Sequence, residues 1–156
     1  WSRPHKKSIS VGTYLPYVKR ENLEISIVID VSGSIQQEEL TDFLSEIVGI
    51  CKSFSNIKAR VIICDCAVTD DLEVANGSVQ KIVDLKIKGG GGTSFKVPLD
   101  YIKENYPNNK LTIFFTDGYG DRISQNDYPF KLLWVLCKGG SNEIIQNEGM
   151  IVKLGD

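Results

Sequence analysis

Histidine is almost absent from this chain: His5 is the only one, and Met150 is the only methionine. Metal centres built on paired imidazoles are therefore excluded, and no His-Glu-x-x-His run occurs to support metallopeptidase chemistry. Long hydrophobic runs are also missing. None approaches the roughly 18 apolar residues that a membrane-crossing helix needs, and no basic-then-apolar leader precedes the first polar segment. Nor is there a surplus of basic charge. Eighteen Lys and Arg stand against 20 Asp and Glu, for a net charge of −2, so neither nucleic acid nor a membrane surface is an expected partner. The four cysteines, Cys51, Cys64, Cys66 and Cys137, form no Cys-x-x-Cys pair. We expect reduced, buried thiols in a cytoplasmic protein, with Cys64 and Cys66 facing the same side of one strand.

What remains is ordinary globular material. The 156 residues, 42% hydrophobic and 24% charged, suit one domain with a sizeable core. The chain opens on Trp1 rather than Met, so a piece of a longer protein is expected. Residues 1–20 carry prolines and basic residues without periodicity and read as an arm or linker, leaving residues 21–156 as the folded domain.

Leu23 to Asp30 predicts a strand, apolar on both faces towards its end. Leu40, Phe43, Leu44, Ile47, Val48 and Cys51 recur at helical spacing, which predicts a helix over Glu38–Lys52. Ser34 and Gln37 form a capping-box pattern before it. Ile57–Cys66 predicts a second strand, with Val68–Ala75 pairing back as a hairpin and Asn76-Gly77 as a turn. Val79–Ile87 reads as an edge segment. Phe95–Asn105 follows as a helix with Pro98 in its first turn. Leu111–Phe115 and Leu132–Cys137 read as strands, Asn142–Asn147 as a helix, and Met150–Leu154 as a last strand or the start of a further extension. Strands alternating with helices imply an α/β layered sheet, whose ligands bind beyond the carboxyl ends of its strands.

Chemistry gathers at those ends. Asp30-Val31-Ser32-Gly33-Ser34 closes the first strand, four glycines lead into Thr93, and Thr116-Asp117-Gly118 closes a later strand. Asp30, Ser32, Ser34, Thr93 and Asp117 are hard oxygen donors and suit magnesium, with manganese or calcium as alternatives. Asp65, Gly92, Ser94 and Gly118 stand around them. The glycine run permits unusual backbone angles and close approach to the neighbouring loop. A helix N-terminus after Ser34 repels a cation, and the two carboxylates must offset it. One divalent ion between two carboxylates leaves a nearly neutral site whose open position takes an acidic side chain of a partner protein, with no bond made or broken. Each residue also has a plainer role open to it: Ser34 as a helix cap, Asp117-Gly118 as a turn, Asp65 as a strand end. Asp121 and Asp127 read as surface residues.

The set Asp30-x-Ser32-x-Ser34, Thr93 and Asp117 resembles the metal-ion-dependent adhesion site of von Willebrand factor A (VWA) domains, over roughly Leu23 to Cys137. Cys64-Asp65, Gly89 to Thr93, Phe115 to Gly120 and Leu133-Trp134-Val135 resemble one bacterial branch, the VWA-like C-terminal domain of metallopeptidase-like proteins, and Arg3-Pro4 and Leu15-Pro16 its lead-in. That branch typically has Asp where this chain has Ser94. The resemblance implies a doubly wound, three-layer, mostly parallel sheet with one antiparallel edge strand. It also implies a magnesium-dependent protein contact, with a MoxR-type AAA+ ATPase as the first candidate partner. Rival readings are weaker. A haloacid-dehalogenase-like phosphatase needs a second Asp where Ser32 stands, and a nuclease on Asp30, Asp65 and Asp117 lacks a basic groove. A metal-free scaffold is the main alternative.

Overall fold

The structure is a computed structural model and describes residues 23–31, 37–53, 57–74 and 92–154. In chain order the elements are β1 (Leu23–Asp30), α1 (Gln37–Ser53), β2 (Ile57–Cys64), β3 (Val68–Val74), α2 (Lys96–Asn105), β4 (Leu111–Thr116), β5 (Lys131–Leu136) and β6 (Met150–Lys153). A 3-10 turn at Gln125–Asp127 separates β4 from β5.

The strands form one six-stranded sheet in the order β3-β2-β1-β4-β5-β6. Every pairing is parallel except β2 with β3, which is antiparallel and places β3 at one edge. Central strands need apolar residues on both faces, and β1 has them: Ile27, Val28 and Ile29 are fully buried in succession. Alternation divides the core into two layers. Ile27, Ile29, Val61, Ile113, Phe115 and Val135 pack with Leu40, Phe43 and Ile47 of α1. Val28, Ile62, Phe114, Trp134 and Leu136 pack with Phe95 and with Leu99 and Ile102 of α2. Helices therefore cover both faces, giving the doubly wound, three-layer α/β architecture expected from the sequence. Aromatic rings weld each layer: Phe43 lies 5.1 Å from Phe115, and Phe95 lies 5.3 Å and 5.0 Å from Phe114 and Trp134.

Three expectations need correcting. β2 ends at Cys64, not Cys66, because its register with β3 shifts there and residues 65–67 bend. Cys66 is consequently exposed while Cys64 and Cys137 are buried. The stretch Asn142–Asn147 is a series of turns, not a helix. A six-residue segment gains little helical stability of its own, and Asn147 at φ 71° and Gly149 at φ 127° turn the chain into β6. The arm at 1–20, the Asn76-Gly77 turn, Val79–Ile87 and the Cys51 side chain lie outside the described residues.

The edge strand β3 is tied to α2 by a polar cluster. Asp71 accepts hydrogen bonds from Tyr101 and Tyr106 and pairs with Arg60 at 2.8 Å, and the Arg60 guanidinium lies 4.2 Å over the Tyr106 ring. Burial works to raise the Asp71 pKa, but the bonds from Tyr101, Tyr106 and Arg60 outweigh it and hold the carboxyl below its ordinary value. A depressed carboxylate contributes stability above its unfolded pKa, about 3.9, and loses it as pH falls through the folded value. Asp71→Asn should therefore cost about 1–3 kcal/mol at neutral pH, with the deficit shrinking below pH ~4. Urea unfolding at several pH values checks this, and a deficit independent of pH contradicts it.

Candidate functional site

At the carboxyl edge of the sheet, β1 and β4 lie side by side. Asp30, the last residue of β1, is fully buried. A buried carboxylate is costly unless its charge is met. The Thr116 hydroxyl donates to Asp30 Oδ2 at 2.7 Å, and the Gly118 amide donates to that same hydroxyl oxygen at 3.2 Å. The second bond fixes Thr116 as an acceptor from Gly118, so its proton is committed to Asp30. Thr116 thus links the carboxylate of β1 to the loop that follows β4. Sequence reasoning passed over it, because its role appears only once β1 and β4 are known to be neighbours in register.

Asp117, the next residue, is 6% exposed. Its Oδ1 accepts from the Tyr119 amide at 3.0 Å, and its carbonyl accepts from the Ser141 amide at 2.9 Å. Gly118 makes this packing possible. It sits at φ 88°, and a Cβ there would lie 1.8 Å from the Ser141 carbonyl oxygen. Gly120 rests on the Phe95 ring, where a Cβ would approach to 2.7 Å.

The Thr93 segment arrives from the other side. Thr93 is half-buried, and the next residue is anchored three ways. The Ser94 amide donates to the Asp65 carbonyl at 3.0 Å, its hydroxyl donates to Asp121 Oδ2 at 3.0 Å, and that hydroxyl accepts from the Val97 amide at 3.1 Å. Asp121 Oδ1 also accepts from the amides of Phe95 and Lys96. Ser94 and Asp121 together cap α2, satisfying donors that a helix start leaves open and placing a carboxylate at its positive end. Asp121 is exposed, as expected, and it also serves as a strut between the Asp117 loop and the Thr93 loop. A carboxylate five residues beyond the end of β4 gave no sequence signal for this. Asp65 contributes its carbonyl, while its side chain accepts from the Ala67 amide at 3.1 Å within its own bend. A Cβ at Gly92 would meet nothing within 4 Å among the described residues, and residues 32–36 of the loop that it is expected to approach lie outside them. Ser32, Ser34 and Gly89–Gly91 lie outside the described residues.

Asp121→Ala should cost about 1–2 kcal/mol, the usual value of a lost helix cap. Asp121→Asn should recover part of it. Urea unfolding measures both, and a loss below ~0.5 kcal/mol would mark Asp121 as an ordinary surface residue.

The electrostatics of the edge suit a cation rather than a thiolate. Burial, with Asp30 and Asp65 nearby, pushes the Cys64 thiol far up. Burial, a hydrogen bond with Glu39 and the charges of Glu39 and Asp117 do the same for Cys137. Both stay protonated at neutral pH and offer neither a nucleophile nor a soft ligand. Among the described residues no three His, Cys, Asp or Glu side chains converge. The carboxylates of Asp30 and Asp117 stand at the ends of the adjacent strands β1 and β4, and Thr93 lies in the loop that Ser94 ties to the end of β2; all three offer hard oxygens. That chemistry fits magnesium.

Known proteins resemble this chain in sequence or in fold. An uncharacterized protein of Thermotoga maritima is 36% identical over 138 residues, covering 85% of this chain, which spans only 32% of that protein's length. Two solved structures share the fold. The conserved hypothetical protein BatB of Bacteroides thetaiotaomicron matches with TM-score 0.69 at 11% identity, over 86% of this chain and 91% of its own. The ArnB paralog VWA2 of Sulfolobus acidocaldarius matches with TM-score 0.60 at 16% identity, over 88% of this chain and 42% of its own. A family model for the VWA-like domain (DUF2201) matches residues 25–148, and the chain belongs to that family.

Proposed function

We propose that this domain is a metal-ion-dependent protein–protein interaction module. The observation that carries the reading is the pair of buried carboxylates, Asp30 and Asp117, at the ends of neighbouring strands and coupled through Thr116. Asp30, Ser32, Ser34, Thr93 and Asp117 hold magnesium in this reading. The ion supplies an electrophilic position open to a Glu or Asp side chain of a partner protein. The chain's own residues do the positioning. Thr116 orients Asp30, the Gly118 turn sets Asp117, and Ser94 with Asp121 and the Asp65 carbonyl steadies the Thr93 loop. Nothing in this scheme breaks a bond, and the domain has no catalysis of its own.

Resemblance to the bacterial branch supports a wider setting. The domain is the C-terminal part of a larger metallopeptidase-like protein that works in the cytoplasm with a MoxR-type AAA+ ATPase. Co-precipitation of that ATPase by the domain tests this directly. Retention in magnesium, with release by a chelator and loss in Asp30→Asn, is the expected result. Equal retention in all three conditions favours a metal-free scaffold instead.

A further inference from the structure

The amino edge of the sheet, opposite Asp30 and Asp117, carries a cavity of about 560 Å³. It opens where β4, β5 and β6 begin, at Leu111, Lys131 and Met150. Its walls are mainly apolar and include Tyr128, Pro129, Phe130, Leu132, Leu133 and Met150. Met150 is 50% exposed, and Pro129 is exposed between the buried Tyr128 and Phe130. Cavities of ~300–1,000 Å³ with such walls are suited to apolar occupants.

Polar groups in the wall are already engaged. Gln125 Nε2 donates to the Phe130 carbonyl at 2.8 Å, and Gln125 Oε1 accepts from the Leu132 amide at 3.0 Å. The Gln125 amide donates to Glu148 Oε1 at 3.0 Å, and the Tyr128 hydroxyl donates to Asp100 Oδ1 at 2.9 Å. These bonds brace the wall, so little ordering is left to be done on binding. They also leave few groups to recognise a polar ligand, since the other polar side chains of the lining, Asn126 and Lys131, are at exposed positions.

This chain holds a segment of matching chemistry. Residues 9–18 contain no charged residue, although Lys7 precedes them and Lys19-Arg20 follow. Six of the ten, Ile9, Val11, Tyr14, Leu15, Tyr17 and Val18, are aliphatic or aromatic, which makes leaving them all in water costly. From there the chain enters β1 at Leu23. That is the edge of the cavity, because β1, β4, β5 and β6 run parallel. Neighbouring strands lie ~4.8 Å apart, so β5 stands about 10 Å from β1. The five-residue step from Val18 to Leu23 spans up to about 17 Å. Reach and polarity therefore agree.

We propose that residues 9–18 seat in this cavity, their apolar side chains packing on Phe130, Pro129 and Met150. The seat holds the chain ahead of β1 at the edge opposite Asp30 and Asp117 and leaves the carboxyl edge clear. It stands whether or not a metal binds there. Covalent continuity favours this occupant over a second copy or a partner protein, since a short tether gives an effective concentration in the millimolar range.

Photo-crosslinking tests this, with benzoylphenylalanine in place of Tyr17 in the full chain, and separately in place of Tyr14. Mass spectrometry maps the products, and mixing heavy-isotope-labelled with unlabelled protein separates crosslinks within a chain from those between chains. The expected crosslinks lie within one chain and fall on residues 125–133 and 149–150. Met150→Asp and Pro129→Asp each put a charge in the wall at an exposed position. Each should lower the yield on residues 130–133 about fivefold or more while retaining the wild-type circular dichroism. Crosslinks elsewhere on the domain, or none, from both positions overturn the proposal. Crosslinks on these residues only between chains make a second copy the occupant and overturn it as well. Yields unchanged in both wall variants also overturn it.

Discussion

Gly118→Ala is expected to lower the unfolding free energy by roughly 2–5 kcal/mol and to abolish metal binding. Two costs combine. At φ 88° any L-residue with a side chain is strained, and the new methyl group would sit 1.8 Å from the Ser141 carbonyl oxygen. That neighbour is backbone, so no side-chain rotation relieves the overlap. The 137–141 segment must move, and with it goes the Ser141 amide that holds the Asp117 carbonyl. The Gly118 amide also supports Thr116, and through it Asp30. Gly139 provides the control. It too has positive φ, at 81°, but a Cβ there would meet nothing within 4 Å. Gly139→Ala should show the conformational cost alone, about 1 kcal/mol. Urea unfolding of the two variants side by side measures the difference, and equal losses would refute the steric argument.

Much of the fold was legible because local signals and tertiary context agree. β1 runs from Leu23 to Asp30 as the apolar run predicts, and Pro98 falls in the first turn of α2 where its missing N–H does no harm. The hairpin return of β3 was anticipated, and its largely polar sequence Val68–Val74 suits an edge strand. The misses have a common cause. Asn142–Asn147 offers only Glu143 and Gln146 as strong helix formers, and it leads into Gly149, which passes so close to the Leu132 carbonyl that a Cβ would approach to 2.6 Å. Cys66 alternates correctly with Cys64, yet the strand breaks between them. At the site, the two carboxylates and Thr93 were visible as motif residues. Thr116 and Asp121 were not, because their partners lie 86 and 25–27 positions away in the chain.

Magnesium should raise the thermal midpoint of the domain, and Asp30→Asn should remove that rise. A ligand that binds only the folded state at a hundredfold its Kd adds about 2.7 kcal/mol. For a domain of this size that corresponds to roughly 5–11 °C. The argument is one of charge. The Asp30 carboxylate is buried at the edge of the sheet near Asp65, and both charges are felt at Cys64. A divalent cation bound there relieves that concentration of negative charge, whereas the neutral amide of Asn gives it little to bind. Thr116→Val, which removes the donor to Asp30 without touching a ligand, should retain the rise in reduced form. Differential scanning calorimetry with and without magnesium measures all three proteins. A rise of equal size in Asp30→Asn would place the ion elsewhere.

Calorimetric titration of magnesium into the wild-type domain and into Asp30→Asn tests the central claim most directly. The account predicts saturable one-site binding in the wild type and none in the variant, with both proteins equally folded. Saturable binding of the same strength in both would contradict it.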